Sequence, residues 1–436
     1  MRSVLPSDRA PLRRVLTLLL SPLLALCAAS FVAAPAAAQD GQAAEVFRRY
    51  ADRVIKVQVV ETGSAAKARI GSGFFATADG HVVTNYHVVS DLILAPERYR
   101  AEIVDARGTV TPVTVLGVDV VHDLAIVGAK VRPAAHFALA ESRAVQGDRL
   151  YALGHPEDLG LSIVEGTYNG LLQHTLYPRL HFTGSLNSGM SGGPTIAADG
   201  RVIGINVSTA GNQLSFLVPV ERAVALLRGV LSPGATPPAR TLAQVGRQLR
   251  AYQDLYLREM FAGPTKSVDL GPYRVVTQPA PFFRCWADAT RRPQLPYEQV
   301  QHRCSTDDYV FISGDQTSGV VSLRHDLITT RSLNPLRFYA HYASVFQRDD
   351  TPSGEEEHVT SWKCGTRNVR QADTRMRAVL CLRRYRRLGE LYDGVLKVAV
   401  LGRGDTGLVS TLTMTGVTFD NVDRVSRRYL ERVSWK

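Results

Sequence analysis

Asn187-Ser188-Gly189-Met190-Ser191-Gly192-Gly193-Pro194 sets a serine inside a glycine-rich loop. A serine hydroxyl is a poor nucleophile at neutral pH and needs a neighbouring base to take its proton. Two upstream segments carry suitable partners. Thr84-Asn85-Tyr86-His87-Val88-Val89 places a histidine just after an apolar strand, and His122-Asp123-Leu124-Ala125-Ile126-Val127 places an aspartate at the head of another. Imidazole titrates in the right range to accept the serine proton, and a buried carboxylate fixes its tautomer and stabilises the imidazolium. The glycines answer a separate need. Backbone N–H groups of Gly189 and Ser191 are candidates to converge on a developing oxyanion, where a side chain at 189 would obstruct their approach.

Working outward, residues 45–231 contain no cysteine and are built from short Val/Ile/Leu runs punctuated by Gly, Asp and Asn. Many short strands with little helix predict a barrel or sandwich. Phe75–Gly80 and Ile196–Gly200 echo one another, each setting Asp-Gly between two strands. Ser232-Pro233-Gly234-Ala235-Thr236-Pro237-Pro238 reads as a linker, placed at 232–240. Beyond it, Leu242, Val245, Leu249, Tyr252, Tyr256 and Met260 recur at helical spacing. Strand-like segments return over 268–415, including Tyr309–Ser313, Val320–Leu323, Val395–Leu401 and Leu408–Met414. A closing helix is expected from a cap at Asp420 through Val422, Val425, Tyr429 and Val433. Residues 241–436 therefore read as a second domain, of α+β type.

The N-terminus reads differently. Four arginines precede an apolar run, Val15 to about Ala34, and Ala36-Ala37-Ala38 follows. This describes a secretory signal peptide over 1–38, which leaves 39–231 as the first domain; the alternative is an uncleaved anchor, since the run could nearly span a bilayer, but Pro22 and the Ala-rich exit disfavour it. The full chain of 436 residues has a net charge of +11 and five cysteines. The leader holds four of the arginines, Asp8 and Cys27, so the remainder carries +8 and an even four cysteines. With 45% hydrophobic and 21% charged residues, 35 glycines and 22 prolines, the composition excludes a disordered chain, a coiled coil and a polytopic membrane protein.

The three motifs, in the order His, Asp, Ser, resemble those of the trypsin-fold serine proteases, and within them the bacterial HtrA/Deg group. The resemblance rests on Ile70–Val89, His122–Ala125, Asn187–Pro194, Val202–Asn206 and Ser215–Pro219, and covers roughly residues 45–230. It implies a mainly β fold, a pair of six-stranded β-barrels with the site between them. It also implies the catalytic triad His87, Asp123 and Ser191, with the Gly189 and Ser191 amides as oxyanion hole. The implied activity is hydrolysis of envelope or misfolded polypeptides through an acyl-enzyme, in the periplasm or outside the cell and without a cofactor. The alternative is an inactive protease fold kept as a peptide-binding or chaperone module. Two departures stand out. Met190 occupies the place where trypsin-type zymogens carry an aspartate, so activation by an inserted N-terminus is not expected. No PDZ pattern follows in 241–436.

Ser185, Ser215 and Phe216 are the candidate pocket residues. Ser185, six before Ser191, is neutral, which disfavours a preference for Arg or Lys, and Phe216 argues for a shallow pocket taking small or medium apolar residues. Among the cysteines, the local pairs Cys285–Cys304 and Cys364–Cys381 are preferred out of three connectivities. No metal-ligand spacing occurs, and no metal is expected. Arg383-Arg384-Tyr385-Arg386-Arg387 is the densest basic run. Export argues against nucleic acid, so it reads as a solvated face or a contact for an anionic envelope surface or acidic partner. Nothing in the sequence sets the oligomeric state.

Overall fold

The computed structural model describes residues 41–436 except 212, 235–240, 263–265, 307, 315, 372, 403 and 436. The expected signal peptide, with Cys27, and most of the expected linker lie outside the described residues. After helix α1 (Gln42–Tyr50), strands β1 (Val54–Glu61), β2 (Lys67–Phe75), β3 (His81–Thr84), β4 (Tyr99–Val104), β5 (Val110–Asp119) and β6 (Leu124–Ala129) close a barrel in the order β1-β2-β3-β6-β5-β4. Helix α2 (Tyr86–Leu94) lies between β3 and β4. Strands β7 (Arg149–Gly154), β8 (Ser162–Leu171), β9 (Leu180–Phe182), β10 (Pro194–Ile196), β11 (Val202–Thr209) and β12 (Ser215–Pro219) close a second barrel. Its order, β7-β8-β9-β12-β11-β10, repeats that of the first. The duplication is real, yet the Asp-Gly echo does not report it: Asp79-Gly80 joins β2 to β3, whereas Asp199-Gly200 joins β10 to β11, which is not the equivalent hairpin.

The C-terminal part begins with α4 (Thr241–Ala262), which follows α3 (Val220–Leu231). It buries Val245, Leu249, Tyr252, Tyr256 and Met260, as the spacing predicts. Strands β13 (Ser267–Leu270) and β14 (Tyr273–Val276) lead to β15 (Phe283–Thr290), β16 (Tyr297–Thr306), the hairpin β17 (Val310–Ser313) and β18 (Gln316–Ser318), and β19 (Val321–Thr330). Helix α5 (Pro335–Gln347), β20 (Lys363–Gln371), β21 (Thr374–Arg384), β22 (Leu391–Val400), β23 (Thr406–Thr418), α6 (Phe419–Leu430) and β24 (Ser434–Trp435) complete the chain. Seven strands form one antiparallel sheet, ordered β15-β16-β19-β23-β22-β21-β20. The last helix is capped by Thr418, whose hydroxyl accepts from Asn421 N, rather than by Asp420, and it ends before Val433.

Cys285 is bonded to Cys304 and Cys364 to Cys381. Each pair sits directly opposite across neighbouring strands, so the sheet register brings the sulfurs together. The core is continuous: the interior of the first barrel, with Val57, Val59 and Val88, packs in one cluster with Leu249, Tyr256, Ile312 and Leu396. Within the basic run, Arg383 is buried on Asp393 at 2.7 Å, whereas Arg384, Arg386 and Arg387 are exposed. Each exposed arginine also donates to a carbonyl of the same chain: Arg384 to Gly389 O, Arg386 to Glu356 O, and Arg387 to Leu94 O at the end of α2.

Candidate active site

Strand β3 ends at Thr84, and Asn85 turns the chain into α2, where His87 occupies the first turn. Asn85 does not cap the helix with its side chain. Its amide donates instead to Asp123 O at 2.7 Å, while Tyr86 N donates to the same carbonyl at 3.2 Å. Asp123 adopts φ +57°, a left-handed conformation uncommon for a residue with a side chain. The surroundings over-determine it. Both carboxylate oxygens are engaged: Oδ1 accepts from His87 N at 2.8 Å, and Oδ2 meets His87 Nδ1 at 2.6 Å. With Nδ1–H donated to the carboxylate, Nε2 is left as the basic nitrogen.

The serine loop runs from β9 to β10. Ser191 O accepts from Ser72 N of β2 at 2.7 Å, and its hydroxyl donates to Val207 O at 3.2 Å. Gly192, at φ +87°, lies so close to the first barrel that a Cβ would stand 2.2 Å from Ser72 O and 3.0 Å from Asn85 N. The loop that carries Ser191 is thus seated on the segment that carries His87. No hydrogen bond joins Ser191 Oγ to His87 in this state.

The amides of Gly189 and Ser191 have no acceptor among the described residues. Their aim follows from the carbonyls on the other side of each planar peptide. Ser188 O accepts from Glu157 N at 2.9 Å, and Met190 O accepts from Gly193 N at 3.1 Å and Asn206 Nδ2 at 3.2 Å. Gly189 sits at φ +90°, and a Cβ there would meet His155 O at 2.4 Å. Met190 is fully buried in the second barrel against Leu150, Leu180, Phe182 and Leu217, so an apolar anchor holds this position. Two residues that motif reading missed complete the support. Ser72 Oγ, fully buried, donates to Gly189 O at 2.7 Å and accepts from His155 N at 2.8 Å. Asp158 pairs with Lys56 at 2.7 Å and Lys67 at 2.5 Å, tying the 155–158 segment to the first barrel. Those two ammonium groups draw the Asp158 carboxyl down to about 2, and burial, aided by Lys56, pushes the His155 imidazole down to about 4.

Among the pocket candidates, Ser185 is exposed and Phe216 packs partly buried against the core that contains Ile205 and Val218. Ser215 is fully buried and its hydroxyl accepts from Leu186 N at 3.2 Å, bracing the start of the serine loop. The C-terminal part backs the site from behind. Gln248 of α4 accepts from Val120 N and donates to Val118 O, fixing the backbone that leads into Asp123. The phenol of Tyr86, driven up by burial, donates to Ile312 O at 3.0 Å.

Residues 71–205 match the trypsin-like peptidase domain family. This segment is similar to the trypsin-like peptidase domains of the HtrA group. Its similarity extends to the mitochondrial serine protease HTRA2 of Bos taurus, 30% identical over 193 residues that cover 41% of either chain. A probable periplasmic serine endoprotease, DegP-like, of Rhizobium meliloti is 32% identical over 179 residues, 38% of this chain and 34% of that one. The chain thus spans well under half the length of these curated relatives. The crystal structure of Deg5 superposes with a TM-score of 0.39 at 24% identity, covering 44% of this chain and 95% of that one. Each of these matches covers less than half of the chain. Among the described residues no helix is long and apolar enough to cross a membrane.

Proposed function

We propose that the chain is a serine endopeptidase that hydrolyses polypeptides in the periplasm or outside the cell. Ser191 acts as nucleophile, His87 as general base and then general acid, and Asp123 as the carboxylate that orients it. The observation that carries this reading is the pair of unpartnered, pre-aimed amides at Gly189 and Ser191 beside a hydroxyl and an Asp-held imidazole. A binding platform has no need of such a cradle.

The Ser191 hydroxyl leaves Val207 O and passes its proton to His87 Nε2 as Oγ attacks the substrate carbonyl. The electron pair moves onto the carbonyl oxygen, which the two amides receive. Return of the proton from His87 to the leaving amine breaks the C–N bond and leaves the acyl group on Ser191. Water, deprotonated by the same imidazole, then releases it. The amides are already held by Glu157, Gly193 and Asn206, so little reorganisation accompanies charge formation, and one such donor is worth about 100- to 1,000-fold in turnover. The pocket beside Phe216 favours small or medium apolar residues, and the C-terminal part, residues 241–436, forms a second domain that supports the site.

A fluorophosphonate probe tests the reading. Labelling of the full chain, abolished in Ser191→Ala and reduced more than about 1,000-fold in His87→Ala, is expected, together with cleavage of an unfolded protein. A folded chain that neither labels nor cleaves refutes it.

A further inference from the structure

The peptidase motifs end near residue 230, yet the ring that touches the His87 imidazole comes from far beyond them. Phe311, on β17, meets it edge to face at 6.0 Å between centroids and 75° between planes. Both rings keep an outward surface: the His87 side chain is 25% exposed and Phe311 is half-buried. Val310 and Ile312 are buried in the core cluster; Phe311 packs partly buried against it, with its ring 6.4 Å from that of Tyr86, while Tyr309, just before the strand, is exposed.

The hairpin is held on several sides. Tyr385 OH donates to Thr317 O, Ser318 Oγ to Gly416 O, and Gln316 Nε2 to His358 O. From the peptidase side it is gripped by both barrels. Tyr86 OH donates to Ile312 O, Tyr177 OH to Tyr309 O at 3.2 Å, and Leu176 N to Asp308, which also pairs with Arg179. Tyr177 and Arg179 belong to the segment entering β9. That strand pairs with β12, which pairs with the end of β11 at Ser208 and Thr209, next to the Val207 carbonyl that holds Ser191. The hairpin is therefore linked, through β9 and β12, to the strand that holds Ser191.

We infer that Phe311 is a specificity-determining residue: with the His87 ring it forms an apolar corner that seats a substrate side chain beside the scissile bond, and selects apolar side chains there. This deepens the peptidase reading and rests on it. Two rings in edge contact at a right angle leave no space between them but offer two apolar faces to a third group. A charged side chain loses water there without finding a partner, because the groups facing the corner are aromatic carbon and an imidazole already committed to Asp123. A wall carried on a hydrogen-bonded hairpin holds its shape better than one on a free loop.

The test compares the wild-type full chain with Phe311→Ala and Phe311→Leu, using internally quenched peptides varied one residue at a time on either side of the scissile bond, and follows the position at which the wild type selects most strongly. Fluorophosphonate labelling, which carries no such side chain, reads the triad separately. The wild type is expected to prefer Val, Leu or Pro over Gly and Asp by about 10-fold or more in kcat/KM, within the range an apolar contact provides. Phe311→Ala collapses that ratio to within about twofold while Ser191 still labels, and Phe311→Leu restores part of it. An unchanged ratio in Phe311→Ala overturns the inference. So does a uniform fall in labelling and in every peptide, or a shifted pH profile at constant ratio, either of which makes Phe311 only a support for His87. Absence of labelling in the wild type overturns the peptidase reading itself.

Discussion

Ser72→Ala removes one oxygen atom and no catalytic group, yet the structure makes it a severe change. Ser72 is fully buried, and its hydroxyl bridges Gly189 O and His155 N at 2.7 and 2.8 Å. Alanine keeps the Cβ and leaves both a carbonyl and an amide without partners. Each buried orphan costs about 1–3 kcal/mol, so a loss of about 2–5 kcal/mol in folding stability is expected. The second consequence is local. Gly189 O and His155 N are the points at which the serine loop and the 155–158 segment are fastened to β2, and Glu157 N of that segment aims the Gly189 amide by holding Ser188 O. A loosened fastening lets the amide turn away for part of the time, and a fully lost donor costs about 100- to 1,000-fold. We expect a 10- to 100-fold slower rate of fluorophosphonate labelling at saturating folded protein. Urea unfolding measures the first effect and labelling kinetics the second. If stability falls while the labelling rate of the folded fraction stays within twofold, Ser72 serves packing alone and the account of the oxyanion loop is wrong.

Met190→Ala is expected to cost about 2–5 kcal/mol, because it opens a void among fully buried neighbours. It should also slow labelling, since the Met190 carbonyl fixes the Ser191 amide; equal labelling rates would separate the anchor from the loop's aim. The fully buried His325, with Nε2 on Val276 O and Nδ1 on Ser410, is held down to about 4 by burial. The unfolded chain takes up a proton near 6.5 and the folded one does not. Stability is thus complete above about pH 6.5 and falls as pH drops toward 4, by up to about 3 kcal/mol. Urea midpoints at pH 7, 5.5 and 4.5 should show this, and His325→Gln should flatten the slope.

Local chemistry was readable in the sequence; long-range apposition was not. The three candidate motifs announce themselves because each couples a reactive side chain to a short strand or a glycine turn. The disulfides were legible because their partners are close in sequence and, as it turns out, opposite on adjacent strands. Helix α3 was missed because its apolar face continues the strand-like run of β12. The internal partners of the basic run were not legible, because charge density says nothing about carbonyls folded back on it, and the Leu94 carbonyl that Arg387 meets lies 293 residues away. Ser72 sits in a Gly-Ser-Gly stretch that looks like ordinary strand, and only the closed barrel shows that its hydroxyl reaches residue 189.

The continuous core has a consequence for order of synthesis. Tyr86 and Ile312 are joined across 226 residues, and Val118 and Gln248 across 130. A nascent chain that has emerged as far as residue 231 already contains Ser191, His87 and Asp123, but it lacks the helix that braces the approach to the aspartate and the hairpin that lies against the imidazole. Contacts of such separation form late and slowly. The surroundings of the His87 imidazole are therefore complete only once the chain beyond residue 231, through the β17–β18 hairpin, has joined the barrels.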